Sequence, residues 1–324
     1  MRKMLIGKND AGQRLDKFLT KAVKGLPTSM LYKAIRTKKI KVNNKRAKEN
    51  QILAEGDEIV LFIRDEFFDT PEKDHGALSR IRPKLSIVYE DENILLLNKR
   101  PGVLVHEDEE GGENTLILHV QAYLYGKGEY DPEGEQSFAP ALCNRIDRNT
   151  GGIVIAAKNA EALRVMNQMI RENQISKFYY CAVKGKMPRR ADELHGYLRK
   201  DSATNTVKVA DKPFRDAKTI ITRYRVLAEN AENSLLEVEL VTGRTHQIRA
   251  HLAHIGHPLL GDGKYGINRG ERTKGYKHQA LYAVRLRFDF GREGYLGYLS
   301  GREFQIDTSE VWFLRDFGKQ GGRV

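Results

Sequence analysis

One aspartate, Asp147, stands between Arg145 and Arg148, four residues before a Gly-Gly pair and an apolar run that ends at Ala157. Nearby positive charge favours the ionised form of a carboxylic acid. A carboxylate that stays deprotonated at neutral pH can act as a nucleophile or as a base. By itself the segment is better explained by a turn aspartate that binds local backbone amides, and two further segments favour the chemical interpretation.

The first of these segments, residues 241–262, carries arginines at the start of a predicted helix. Thr245 is expected to cap this helix, which would run over residues 245–255 with its apolar residues facing inward. Arg244 and Arg249 would then lie at the N-terminal end, where backbone N–H groups and arginines favour anions. The segment is therefore a candidate anion-binding site.

The second segment is a predicted strand over residues 177–184, which brings Lys177 and Tyr179 to one end of the sheet. A tyrosine at such an edge can stack on a base or transfer a proton. The alternative for Tyr179 is an ordinary aromatic residue of the core.

A metal site is the other chemistry that this region suggests, because it holds His246, His251, His254 and His257. Their spacing is not that of a zinc-binding helix, and no acidic cluster accompanies them. We expect no metal here, and packing or backbone hydrogen bonds for the last three histidines. The chain also lacks a Walker A loop, a GxGxxG motif after a strand and a CxxC pair, so we expect no cofactor.

The charge of the chain is concentrated near its start. Residues 1–64 hold 16 Lys/Arg and 6 Asp/Glu, a net charge of +10, whereas the remaining residues contribute only +2 of the total of +12. Such a module beside a nearly neutral body is typical of a domain that binds a polyanion. The candidate contacts are Lys33, Arg36, Lys38 and Lys39. A solvated surface or a membrane-surface patch are alternatives, although no basic amphipathic helix with tryptophan supports the latter.

Periodicity predicts which elements position these residues. The basic module is expected to contain two helices, a hairpin turning at Asn43-Asn44 and a buried strand, and residues 65–84 are expected to be a linker. The predicted helices of the body span residues 116–125, 160–172 and 245–255. The predicted strands of the body span residues 85–89, 94–98, 152–157, 177–184, 219–227, 235–241 and 281–290. We find neither a transmembrane run nor a secretory signal, and the two cysteines indicate a reducing compartment, so we expect a cytoplasmic protein without disulfides.

Four ordered blocks in the body resemble the RluA family of pseudouridine synthases. They are Leu97-Asn-Lys-Arg-Pro-Gly-Val-Leu-Val-His106, Arg145-Ile-Asp-Arg-Asn-Thr150, Lys177-x-Tyr179 with Val183 and Gly185, and Gly243-Arg-Thr-His-Gln-Ile-Arg249 through Gly266. The N-terminal module resembles an S4 RNA-binding domain through Arg14-Leu-Asp-Lys-Phe-Leu19 and Lys39-Ile-Lys-Val-Asn43. The order and spacing of several blocks together are far more specific than one motif.

The resemblance implies an α+β fold. It comprises a synthase core (residues 85–324) of mixed, mainly antiparallel sheet with flanking helices, after an S4 module of αL type (residues 1–64) and the linker. It also implies isomerisation of uridines to pseudouridine in structured RNA, without a cofactor. Family members with this domain order modify large-subunit ribosomal RNA, so we expect a 23S-type RNA or a ribosome assembly intermediate, rather than transfer RNA, as the partner. We expect a monomer.

Site residues follow from the same resemblance. Asp147 would be the essential carboxylate, oriented by an ion pair with Arg249, and Tyr179 would stack on the target base or transfer a proton. Arg244 and His246 would contact the phosphate of the extruded nucleotide. The remaining RNA contacts of the body are expected from Arg145, Arg148 and Lys177.

The sequence departs from the family pattern at several positions. His is usual where Asn144 stands, Leu at Ile146 and Ser at Gly151, and the residue between Lys99 and Pro101 is usually absent or small. Lys99 and Arg100 form a turn that either contacts RNA or is solvated. The changes at Asn144 and Gly151 leave one alternative open, an S4 protein with an inactive core. The other alternative is a different enzyme class acting on RNA, such as a hydrolase or methyltransferase, which no catalytic set or cofactor loop in the sequence supports.

Overall fold

The computed structural model describes residues 1–68, 77–106, 114–201, 203–266 and 275–318. The chain forms two compact units, and the first comprises Met1–Lys84, Ile117–Ala141 and Ala157–Arg164. The second comprises Leu85–Leu116, Leu142–Ala156 and Val165–Val324. The first unit thus takes in two segments beyond the expected S4 module and linker, and the predicted domain limits stay a prediction.

The first unit is built on a small antiparallel sheet. Its strands are β1 (Arg2–Leu5), β2 (Ile40–Val42), β3 (Lys45–Arg46) and β4 (Glu58–Leu61), in the order β1-β4-β2-β3. Its helices are α1 (Leu15–Ala22), α2 (Thr28–Arg36), the short α3 (Ala77–Arg80) and nearly all of α4 (Leu116–Gly126). The predicted turn at Asn43 and Asn44 is confirmed, since both residues have positive φ. Residues 69–76 of the expected linker lie outside the described residues.

The second unit contains one large sheet. Its strands are β5 (Ile87–Glu90), β6 (Ile94–Lys99), β7 (Ala141–Leu142), β8 (Gly151–Ala157), β9 (Ile175–Lys184), β10 (Ala191–Asp201), β11 (Thr206–Ala210), β12 (Lys218–Glu229), β13 (Asn233–Leu240), β14 (Leu281–Phe288) and β15 (Glu303–Gln305). The main path runs β11-β10-β12-β13-β9-β14-β8-β6-β5. The β14–β8 pair is parallel and β14–β9 is antiparallel, which confirms the expected mixed α+β fold. Helix α6 (Gln247–His254) belongs to this unit, whereas α5 (Ala160–Arg171) begins in the first unit and continues in the second from Val165.

Most predicted strands match, but the hairpin of β10 and β11 was not predicted. Along β10 only Gly196 and Leu198 are buried, so most of its side chains need not be apolar. A strand exposed along most of its length lacks the alternation that sequence reading relies on. By contrast, β8 is buried along its whole length, which explains its unbroken apolar run. Within the described residues, no helix is long and apolar enough to cross a membrane.

Candidate active site

Asp147 lies on the loop that joins β7 to β8, and local hydrogen bonds fix both ends of this loop. Asn144 Oδ1 accepts from the backbone N–H of Ile155 at 2.7 Å. Thr150 donates its backbone N–H to the carbonyl of Asp147 at 3.0 Å, and its Oγ1 accepts from Gln279 at 3.1 Å. The loop is therefore anchored to β8 and to the segment before β14, while the Asp147 side chain stays partly exposed.

The glycine pair at the start of β8 is required by close packing. A Cβ on Gly152 would overlap the backbone of Ala283 on β14, and a Cβ on Gly151 would overlap the ring of Tyr282. The Tyr282 hydroxyl donates to Asn98 Oδ1 at 3.0 Å. The departure from serine at residue 151 therefore accommodates this tyrosine, and it leaves the Asp147 loop intact.

Lys99 also holds the loop that carries Asp147. Its side chain is 1% exposed, and Nζ donates to the carbonyls of Val103 and Arg148 at 2.9 Å and to that of Arg100 at 3.1 Å. Burial lowers the pKa of Lys99 to about 7, although the negative charge of Asp147 acts to raise it. Lys99 is thus neither solvated nor placed to contact RNA, which corrects the expectation for this turn, whereas Arg100 is exposed.

Arg249, on the buried face of α6, joins two carboxylates. Its Nη1 donates to Asp147 Oδ2 at 2.6 Å, so the predicted contact is present. Its Nε and Nη2 donate to the two oxygens of Asp262 at 2.7 and 2.8 Å. Burial disfavours the charged forms of both Arg249 and Asp262. Their mutual hydrogen bonds outweigh this effect, so the pKa of Asp262 lies below its ordinary value and the pKa of Arg249 lies above its ordinary value.

Asp262 is a residue of the candidate site that sequence reasoning missed. It is 0% exposed, and a buried carboxylate of this kind is stable only when it is paired and hydrogen-bonded. Its Oδ1 also accepts from the backbone N–H of Lys264 at 2.8 Å, so the pairing with Arg249 is rigidly oriented. The available signal was an acidic residue two positions after the apolar stretch that ends at Leu260.

The start of α6 differs from the prediction. The N-cap is His246, in the left-handed conformation with φ 53°, and Thr245 makes no capping hydrogen bond because the helix begins two residues later, at Gln247. Gln247 Oε1 instead accepts from the backbone N–H of Arg244 at 3.1 Å. His246 Nδ1 lies 2.8 Å from the hydroxyl of Tyr265, and its Nε2 lies 3.8 Å from Asp147 Oδ2. Burial lowers the pKa of His246.

Tyr179 lies on β9, is buried, and lines the pocket that contains Asp147. Burial, and secondly the charge of Asp147, raises the pKa of its phenol above the ordinary value. Tyr179 is therefore a neutral hydroxyl at physiological pH. The pocket is lined by Arg145, Ile146, Asp147, Thr150, Tyr179, Leu240, Arg244, His246, Gln247, Ile248, Arg249 and Leu281.

The other predicted contacts lie outside this lining. Arg148 is exposed, and its Nε donates to the carbonyl of Gly102 at 3.3 Å. Lys177 is half-buried on β9, and burial lowers its pKa. Lys33, Arg36, Lys38 and Lys39 are exposed residues of the first unit.

Of the three histidines expected to pack or to bind the backbone, His251 and His257 do so, whereas His254 Nε2 lies 2.8 Å from Asp211 Oδ1 at the surface. His251 is buried, with Nδ1 3.0 Å from the hydroxyl of Thr222, and His257 Nδ1 lies 3.0 Å from the carbonyl of Lys184. Among the described residues, no group of three or more His, Cys, Asp or Glu could hold a metal ion.

Two family models match segments of this chain. The family model described as RNA pseudouridylate synthase matches residues 93–254, and the S4 domain model matches residues 13–59. The first match spans the blocks around Asp147, Tyr179 and Arg249. The second spans α1, α2, β2, β3 and the first half of β4.

Several curated proteins are similar over most of their length. An uncharacterized RNA pseudouridine synthase of Mycoplasma genitalium is 35% identical over 294 residues, 88% of either chain. The ribosomal large subunit pseudouridine synthase C of Vibrio cholerae is 33% identical over 291 residues, 87% of either chain. Human RNA pseudouridylate synthase domain containing 1 shares the fold, with a TM-score of 0.53 at 23% identity over 65% of this chain and 80% of that one.

Proposed function

The chain belongs to the RNA pseudouridylate synthase family and is an RNA pseudouridine synthase with an S4 domain, and from that premise we propose its substrate and its catalytic group. The substrate is large-subunit ribosomal RNA, as in the names of several relatives. The catalytic group is the carboxylate of Asp147, acting without a cofactor. The observation that carries this assignment is a partly exposed carboxylate in a pocket, held at 2.6 Å by a buried arginine.

The isomerisation needs a carboxylate but no redox partner. The C1′–N1 bond of the uridine breaks, C1′ bonds to C5 of the same uracil, and the proton lost from C5 is balanced by the one gained at N1. Asp147 either attacks the sugar or base as a nucleophile, or assists departure of uracil and elimination through a glycal. Both routes require an oriented carboxylate, and the hydrogen bond from Arg249 Nη1 holds that of Asp147 in one position.

Tyr179 and the arginines of the pocket bind the extruded nucleotide. A uridine inside a helix or stacked loop must leave its stack, at a cost of a few kcal/mol. Tyr179 stacks on the base, and its neutral phenol can donate a proton but is a poor base at pH 7. Arg145, Arg244 and His246 hold the flanking phosphates at the pocket, and Arg148 and Lys177 contact RNA farther out.

The exposed basic residues of the S4 module bind a further part of the RNA. Lys33, Arg36, Lys38 and Lys39 make no ion pair with a carboxylate in the part of the chain that the structure describes. Unpaired surface cations bind phosphates by releasing counterions. We expect a monomer acting on ribosomal RNA in the cytoplasm.

The test is a carbodiimide primer-extension map of pseudouridines in total RNA from a strain that lacks the protein. We expect one or a few stops in large-subunit RNA to vanish, and to return with the wild type but not with Asp147→Asn. Asp216→Asn, a change at an exposed carboxylate, is the matched control and should restore them. Stops restored by Asp147→Asn would overturn the catalytic assignment, and stops that change only in another RNA would overturn the ribosomal one.

A further inference from the structure

The S4 module is bound to a loop far away in the sequence. This docking loop, residues 127–140, joins α4 to β7 and belongs to the same compact unit as the module. At its centre Asp10, 3% exposed, accepts from the hydroxyl of Ser137 at 2.6 Å and from Gln136 Nε2 at 3.2 Å. Gln13 of the module donates to the same Ser137 hydroxyl at 2.7 Å.

Further contacts surround this centre on the module's N-terminal segment. Gln136 Nε2 also donates to the carbonyl of Leu5 at 2.6 Å. Asn9 donates to Glu135 Oε1 at 2.5 Å, and its Oδ1 accepts from the backbone N–H of Ala160 at 3.1 Å.

The start of α5 adds one more contact. Arg164 Nη1 donates to the carbonyl of Ala11 at 2.7 Å, and its guanidinium lies over Gly12, where a Cβ would crowd it. The hydrogen bonds thus extend along the whole segment from residue 5 to residue 13.

These contacts have an energetic consequence. A buried carboxylate that loses its donors pays the full penalty of desolvation, so Asp10 is stable only while Gln136 and Ser137 are in place. Asp10 and Ser137 are 127 residues apart in the sequence. A module on a free tether would leave Asp10 hydrated and would not bury it against distant donors.

The docked surface and the basic surface of the module are different. Docking uses residues 5–13, before α1, whereas Lys33 and Arg36 lie on α2 and Lys38 and Lys39 directly follow it. All four of these cations are exposed and remain available to phosphates. The loop therefore holds the module without covering its RNA-binding residues.

We propose that the docking loop is an interaction surface for the S4 module, and that it holds the module's basic residues in one orientation relative to this loop, so that they bind a second segment of the same RNA. A tethered module would only raise the local concentration of the protein on RNA, whatever its orientation. A docked module presents its cations in one arrangement, so it also discriminates among RNAs by the shape of the segment that it binds. This inference rests on the proposed function for its RNA, but docking can be measured without it.

The structural test uses the Gln136→Ala/Ser137→Ala variant, whose changes lie outside the module and leave the packing of Leu15, Phe18 and Leu19 untouched. Hydrogen exchange should become at least about tenfold faster at the amides of Asp10 and Ala11, with α1 and α2 unchanged. Ser309→Ala, at an exposed serine of the other unit, is the control and should change none of these amides. Unchanged exchange at Asp10 and Ala11 would overturn docking, and faster exchange throughout α1 and α2 would show that the loop is part of the module's own fold.

The functional test compares two RNAs with the same target uridine, a large-subunit rRNA domain fragment and a short stem–loop. We expect the variant to raise KM about tenfold for the fragment, with kcat unchanged, and to leave both constants unchanged for the stem–loop. Equal losses on both RNAs would mean damage to the active site and would overturn the proposal, as would an unchanged KM on the fragment. If the wild type forms no pseudouridine in either RNA, the ribosomal function fails, while hydrogen exchange still decides on docking.

Discussion

The S4 module and the Asp147 pocket use their cations in opposite ways. In the module, Lys33 and Lys39 are exposed and have no carboxylate partner within the described ranges. In the pocket, Arg249 is 6% exposed, and three of its N–H donors are bound to Asp147 and Asp262. Exposed cations supply affinity that salt screens, whereas a buried arginine supplies an orientation that salt hardly affects. Binding and catalysis should therefore be separable by mutation.

The largest effect is expected from Arg249→Lys, which keeps the charge but loses the planar fork that binds two carboxylates. We expect the single-turnover rate to fall roughly 10²-fold or more, because Asp147 is no longer held in position, with RNA affinity almost unchanged. Arg223→Lys, at an exposed arginine paired with Glu239, is the control and should react at the wild-type rate. A normal rate for Arg249→Lys would show that the ion pair is not needed for catalysis.

The second effect is a loss of stability in acid, which we expect to arise from His251 in the body of the protein. Burial lowers the pKa of His251 to about 4, whereas the unfolded chain has an ordinary histidine pKa near 6.5. As the pH falls, the unfolded state binds the proton before the folded state does. The stability that neutral His251 contributes is therefore complete above pH 6.5 and is lost as the pH falls towards 4. At pH 5 the free energy of unfolding should be lower by about 2 kcal/mol than at pH 7.

Urea unfolding at the two pH values measures this loss, and the comparison with His251→Gln isolates it. Because the variant cannot be protonated, its free energy of unfolding should change less between pH 7 and pH 5. An equal change in both proteins would assign the acid sensitivity to other groups.

The smallest effect is expected from Lys33→Ala/Lys39→Ala on the basic surface. RNA affinity should fall about tenfold, and the slope of log K against log[salt] should decrease by about one for each phosphate that is no longer neutralised. Turnover at saturating RNA should not change. Lys3→Ala is the matched control, because Lys3 is exposed in the same module but pairs with Glu58 at 3.0 Å. A reduced kcat in the double variant would contradict the separation of the two regions.

Local patterns predicted much of the fold. The apolar spacing of α1 put Leu15, Phe18 and Leu19 on one face, and all three are buried. The asparagine pair predicted a hairpin turn, and the apolar run before Ala157 predicted a buried strand. These predictions succeed because helix and strand periods are properties of neighbouring residues. The hairpin of β10 and β11 was not predicted for the same reason, since it has little apolar alternation.

The sequence by itself determined the family, the candidate carboxylate Asp147 and its partner Arg249, because whole motifs with their order and spacing are visible in the chain. Only the tertiary structure decided which groups hold them. Arg249 and Asp147 are 102 residues apart, Lys99 and the Arg148 carbonyl 49, and Asp10 and Ser137 127. The burial that makes Asp262 and Asp10 need partners arises only when distant segments pack together and exclude water, so no local pattern encodes it.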